Sequence, residues 1–455
     1  MRGAGSRASS SASAAAVYTS LNFAVRARSV LGVRRSNQVV SMENAHEREL
    51  HGLDHFQVHV ADRLRSLTSD GPCDKYEGSA GGGDRPQKQG RRPVVSLPFM
   101  QKLLDAFVCI EEEFKALLLP LLDRDPTLVS RPPLDRLVAD LLDRTVKSLD
   151  VCNAVTQALD SLHLCEKHAT IAAAALQPPP ATAGEPFVGA QFQRARRASS
   201  KLLAFLALDH KPHGVTTERA WSFGLSSRGA GAVAGGSGSG SSPAVGYVRR
   251  CLTLDVSRNW SGAKQMQSMW TSLSPPRGAD ATALAMALYT MIAVIVFVMW
   301  TLVVAFPCQE RGGHGSSALP ISAFSFPAPP RQLPWAAPMV ALQEAIADDW
   351  RRDRKNSSGP TQSPGLLAEL QSMVRCGRAL VDLGDGAPAF PLNEQQQEEV
   401  ASAWSELAAT CRSIEEELGP LQQRVREVFH RIVLSRAEIL HCLSHGDRPP
   451  SPAAL

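Results

Sequence analysis

Three histidines, His51, His55 and His59, recur at four-residue spacing. In a helix that spacing stacks the imidazoles along one side, where such a row can bind a transition metal. A catalytic zinc pattern would also need a carboxylate arranged as H-E-x-x-H, and none accompanies them. A solvated or partly packed histidine face is the plainer reading, so no metal ligand is assigned. Arg194, Arg196 and Arg197, with the earlier QKQGRRP, form basic runs. Such runs can serve nuclear import or contact with anionic lipid, and more often they are a solvated helix face or loop.

The remaining chemistry is sparse. No Gly-rich phosphate loop follows a strand, the G-S-G-S-G run is a tether, and no G-x-S-x-G elbow occurs. Nine cysteines are scattered, odd in number and never spaced C-x-x-C, which argues for reduced, cytosol-facing thiols and against a zinc ribbon or disulfide framework. The net charge of +4 over 455 residues comes from nearly balanced acids and bases, too weak a field to gather nucleic acid. No catalytic residue and no cofactor site is expected, and the chain reads as non-enzymatic.

The elements that would carry any function are helical. Aromatic residues are only 6%, and the Ala, Leu, Arg and Glu bias favours helices packed on helices. Leu50, Leu53, Phe56, Val60, Leu64 and Leu67 line one helical face from Glu47 onward. After the linker GPCDKYEGSAGGGDRPQKQGRRP, Pro98 suits a helix start, and Pro120 is expected to end or kink that helix. From Pro133 the residues Leu134, Leu137, Leu141, Val146, Leu149, Val155, Leu159 and Leu162 sustain a stripe about 60 Å long at 1.5 Å per residue. This is one long helix or a helix broken once. A basic helix around QFQRARRASSKLLAFLAL follows, and further helices are expected near Trp335–Trp350, Gly365–Leu383 and Asn393–Leu443. Asn393 with Gln396 fits an N-cap pair, and Pro420 should divide the last region in two. Val425, Phe429, Ile432, Val433 and Leu440 are placed on the inner side of the final piece.

The fold class expected is therefore all-α: an elongated bundle of long amphipathic helices with one strongly apolar helix, a disordered N-terminus and a Gly/Ser linker. Its parts are a disordered or targeting-like extension over 1–40, a helical region over 45–210, a flexible linker over 211–256, a second helical region over 257–445, and a tail over 446–455. The first 42 residues carry no acid and are rich in Ser, Ala and Arg, a composition shared by organelle transit peptides and by plain disordered extensions.

One segment makes a physical claim of its own. From Ala281 to Phe306, through Ile292, Val296 and Trp300, there is no charged residue. As a helix it would run roughly 39 Å, more than the ~30 Å of bilayer hydrocarbon. Its Leu, Ile, Val and Phe residues sum to on the order of −5 kcal/mol on an insertion scale, before Thr and Ala reduce it. A helix apolar on every side can equally be the central helix of a bundle, wrapped by amphipathic neighbours. If it spans, the slight positive bias of Lys264 and Arg277 over Arg311 places the N-terminal part in the cytosol. Cys308 at its edge is a candidate for lipidation, with an unmodified thiol as the plainer reading.

Several blocks together, among them VSMENAHERELHGLDHFQVHVADRL, PLDRLVADLLDRTVKSLDVCNAVTQALDSL, SRNWSGAKQMQSMW, YTMIAVIVFVMWTLVVAFPCQERGG and VREVFHRIVLSRAEIL, resemble the plant BYPASS-like family from about Val40 to Leu443. The Ser/Ala/Arg-rich start and the Gly/Ser tether depart from that pattern. The resemblance implies a regulatory protein of plant development or of secretion. It also implies a protein partner, since one member is reported to bind the seventy-kilodalton subunit of the exocyst tethering complex. A location at a membrane, on its cytosolic face or as a single pass, is expected, with an organelle as the alternative. No nucleic-acid partner is expected.

Overall fold

The computed structural model of the chain describes residues 36–69, 93–177, 189–206, 254, 260–271, 273–307, 329–356, 365–386 and 392–446. The transit-like start, most of the first linker, the Gly/Ser tether, Cys308 and the tail beyond Gly446 lie outside the described residues. Contacts divide the chain within its first helix: residues to His51 form one unit, described here only as helix, and Gly52–Leu455 form the other.

The fold is all-α. We number the helices α1 Ser36–Ser69, α2 Leu97–Arg124, α3 Leu134–Leu176, α4 Gly189–Phe205, α5 Gly262–Trp270, α6 Ala283–Ala305, α7 Ala336–Asn356, α8 Ala368–Asp385 and α9 Glu394–Gly446. Short 3₁₀ turns occupy Pro126–Ser130 and Gly278–Asp280.

The starts of these helices follow from local chemistry. The Ser96 hydroxyl accepts the Phe99 N–H at 3.3 Å with Pro98 in the first turn of α2, so an orphan donor is met and proline falls where its missing N–H is harmless. At α9 the expected cap pair forms in both directions: Gln396 N–H donates to Asn393 Oδ1 at 2.8 Å, and Asn393 N–H donates to Gln396 Oε1 at 3.2 Å. Ser261 caps α5 through the Lys264 N–H, a helix the sequence reading did not single out.

Neither internal proline ends its helix, which corrects the division expected at Pro420 and the ending allowed for at Pro120. Pro120 lies inside α2 and Pro420 inside α9. A proline removes the hydrogen bond to the carbonyl four residues earlier. Here those carbonyls belong to Ala116 and Glu416, both exposed residues that water can reach. At Pro420 a further carbonyl, that of Glu417, takes the Gln101 side-chain N–H at 2.9 Å, while buried Leu418 and Leu421 carry the stripe across the break. Likewise α3 is one unbroken helix of 43 residues.

Some inward assignments shift by a fraction of a turn. Leu50, Val146, Val433 and Leu440 are exposed, whereas Val138, Ser148, Cys152, Val428 and Ile439 are buried. In α9 the buried series Val425, Val428, Ile432, Ile439 keeps the 3.6-residue period that a run through Val433 loses.

The second unit is assembled around α6, which packs against α2, α3 and α5. α9 runs along α3, α2 and α8, and α4 bridges α3 and α8. One continuous core therefore draws on residues from both halves of the sequence. Between α7 and α8 the chain crosses the end of α6 so closely that it needs glycine: Gly365 has φ +89°, and a Cβ there would sit 2.4 Å from the Ala305 carbonyl oxygen.

Gly365→Ala is expected to lower stability by about 1–3 kcal/mol from backbone strain alone, and more if the overlap displaces the end of α6. Gly419→Ala, where an added Cβ meets nothing within 4 Å, is expected to stay within about 0.5 kcal/mol of the parent. Thermal unfolding of the two variants side by side checks both.

Candidate functional site

The apolar helix is the feature around which the rest is arranged. All residues of α6 except Ala283 and Met286 are buried, including Ile292, Val296 and Trp300. The predicted ends fall just outside it: Ala281 is an exposed residue closing the preceding 3₁₀ turn, and Phe306 is the buried C-cap. By length and composition α6 could cross a membrane, and its whole apolar window is enclosed by protein.

Its polar groups find protein partners from distant parts of the chain. Thr290 donates to the Met286 carbonyl at 2.8 Å, as a helical threonine does anywhere. The same hydroxyl accepts from Gln57 Nε2 at 2.8 Å and from Trp335 Nε1 at 3.2 Å. Tyr289 packs on Trp335 with ring centroids 6.2 Å apart. At the start, Thr282 accepts the Ala285 N–H at 3.2 Å. At the end, where a helix leaves carbonyls without partners, Leu366 N–H donates to Val304 O and Leu367 N–H to Ala305 O, each at 3.0 Å. The Trp300 indole N–H has no partner among the described residues.

Charged groups hold the surrounding helices in register. Arg144, only 1% exposed, donates from Nε to the Met269 carbonyl at 2.8 Å and from Nη1 to the Asp140 carbonyl at 3.0 Å. It thus ties α3 to the C-terminal turn of α5, where a cation is favoured. Glu369 accepts the Leu97 N–H at 3.2 Å and Asp349 accepts the Val94 N–H, so carboxylates of α8 and α7 anchor the strand of chain entering α2. Burial pushes the Glu369 carboxyl above its ordinary range. A ladder runs between α2 and α9: Asp105 with Arg424 at 2.5 Å, Glu112 with Arg431 at 2.6 Å and Lys115 with Glu438 at 2.6 Å. Both members of each rung rise together in number, so the two helices run parallel.

The histidine row does not converge on a ligand. His51 and His55 are exposed, while His59 is half-buried with Nδ1 2.6 Å from Glu113 and Nε2 accepting the Arg63 Nε–H at 2.8 Å. With Nε2 taken up as an acceptor, Nδ1 is the protonated nitrogen of the neutral ring, close to Glu113 but without a hydrogen bond to it. Burial lowers the His59 pKa, against the pull of Glu113. No group of three or more metal-ligating side chains occurs among the described residues. In the basic run Arg194 and Arg197 are exposed and Arg196 pairs with Asp385 at the end of α8.

The outer side carries a cleft of about 520 Å³ between α8 and the first half of α9. Ala379, Leu380, Leu383, Val400 and Ala403 give it apolar lining, with Arg375, Glu398, Glu399 and Glu406 around them. Glu406 is tied at one end by Arg375 and by the Ser372 hydroxyl at 2.7 Å. Burial there raises its carboxyl, and these hydrogen bonds outweigh it, so the pKa is held below the ordinary value and the group stays charged.

Sequence reading missed Gln57, Arg144 and Glu369. Each sits on the inner stripe of its helix, so a polar residue at an inward position was the available signal.

Comparison with known proteins adds the following. A family model described as Protein ROH1-like matches residues 19–443. Protein ROH1A of Arabidopsis thaliana is 39% identical over 432 residues, covering 92% of this chain and 95% of that protein. Protein ROH1D of the same plant is 32% identical over 365 residues, covering 78% and 84%. No solved structure matches.

Thr290→Val strands the Gln57 and Trp335 donors and is expected to destabilise by about 1–3 kcal/mol for each. A double-mutant cycle with Gln57→Leu should recover part of that loss, read from denaturant unfolding. For Glu369 the raised folded pKa means that its stabilising share is full below the ordinary value of 4.5 and is lost as pH climbs through the raised value. In Glu369→Gln, which keeps an acceptor for Leu97, the fall in stability with rising pH above 4.5 should be shallower.

Proposed function

The chain belongs to the ROH1-like, BYPASS-related family, and on that premise we propose that it is a non-enzymatic plant regulatory adaptor, a helical scaffold that binds a protein partner through its exposed helix faces. The observation that carries this reading is the enclosure of the whole apolar window of α6 by protein, with Thr290 and both helix ends met by protein groups. A helix so enclosed is spent on the core, which leaves recognition to the outer surfaces of the surrounding helices.

The partner we assign is the seventy-kilodalton exocyst subunit, so that the chain modulates secretion or developmental signalling. That assignment follows from the family resemblance. A second reading is favoured by the length and lack of charge of α6: association with a membrane through that helix, in which case the enclosing helices would have to open.

Two measurements separate these readings. Pull-down of exocyst subunits with the full chain is expected to enrich the seventy-kilodalton subunit over a control, and no enrichment would remove that partner. Carbonate washing of plant membranes is expected to release the chain, as the enclosed-helix reading requires, whereas retention in the pellet supports spanning.

A further inference from the structure

We propose that the cleft between α8 and the first half of α9 is a docking groove for a basic amphipathic helix of a partner protein. The inference rests on the adaptor reading and names the surface and the partner's chemistry.

The groove exists because small residues line it. Ala379 of α8 and Ala403 of α9 leave open a space that larger side chains would fill, while Leu380 and Val400 close its floor. At about 520 Å³ it falls within the roughly 300–1,000 Å³ of sites that take small ligands, room into which an amphipathic helix can set an apolar anchor. A trough between two helices accepts a third by ridges-into-grooves packing.

Charge selects the occupant. Around the groove stand three carboxylates, Glu398, Glu399 and Glu406, against the single guanidinium of Arg375. Arg375 is already engaged by Glu406, so the exposed Glu398 and Glu399 face solvent as the acidic rim. A helix with apolar residues on one side and Lys or Arg flanking them would seat the first in the groove and set the second against that rim. An acidic helix of the same shape would be repelled.

The test uses the full chain and a fluorescent 18-residue peptide of Leu and Lys, with Leu at helical spacing, and its Glu-for-Lys counterpart, followed by anisotropy at physiological salt. Binding of the Lys peptide is expected, with loss of about tenfold or more in Ala379→Trp, which fills the groove from an exposed position, and in Glu398→Lys/Glu399→Lys. Glu415→Lys/Glu416→Lys, exposed acids elsewhere on α9, should bind as the parent does, and the Glu peptide should not bind. Circular dichroism checks that each variant is folded, and Glu398→Gln/Glu399→Gln replaces the charge reversal if it is not. Absence of Lys-peptide binding, equal weakening by the Glu415/Glu416 control, or indifference to Ala379→Trp overturns the groove. The exocyst pull-down scores the adaptor reading separately. Capture undiminished by Ala379→Trp, with no peptide binding, removes the groove alone; peptide binding with no capture removes the assigned partner alone.

Discussion

A helix with no charge on any side must be kept from water along its whole length, and the helices packed directly on it, α2, α3 and α5, are arranged by that requirement. Burying each large apolar side chain of α6 is worth about 1.5–3 kcal/mol, a sum that conformational entropy largely offsets. The surplus is available only when amphipathic helices close around α6 together. That explains why α2, α3 and α5 reach it from separate parts of the chain, and why the last helix lies against α2 and α3 instead of forming a domain of its own.

Apolar packing alone would tolerate several rotations and slides of such helices. The polar contacts choose among them. Thr290 must meet both Gln57 and Trp335, Arg144 must reach the end of α5, and Glu369 must stand beneath the Leu97 amide. Each group is cut off from water, so a register that separates it from its partner leaves a buried donor or charge unmet. The ladder between α2 and α9 acts nearer the surface, where each pair adds little energy. Its contribution is direction, since only parallel helices bring its rungs into line.

Much of this was legible in the residues themselves. Spacing of three and four exposed the helices from Leu53 and Leu134 onward, Pro98 marked the start of α2, and Asn393 with Gln396 announced a cap that forms in both directions. What failed did so for physical reasons. Pro420 read as a break and Pro120 as an end or a kink because proline removes a hydrogen bond, yet both helices run on, and the residues whose carbonyls lose that bond, Ala116 and Glu416, are exposed. Val433 and Leu440 read as core because apolar type was weighed above phase. The partners of Thr290 lie 233 and 45 residues away, so no local pattern could reveal them. The cleft was equally hidden, because small residues such as Ala379 and Ala403 signal nothing until two helices are set side by side.

Thr290 joins Gln57, far upstream, to Trp335, downstream of α6, and this has a bearing on synthesis. The ribosome delivers α1, α2 and α3 before the helix they surround, so for a time their inner faces lack a filling. When α6 emerges it is uncharged along its whole length. Trp335 and the chain at Gly365 that seals its far end are still to come. The order of translation therefore asks the first helices to shelter α6 before the residues that complete its enclosure exist, so the early part of the chain must hold a core that the late part only closes.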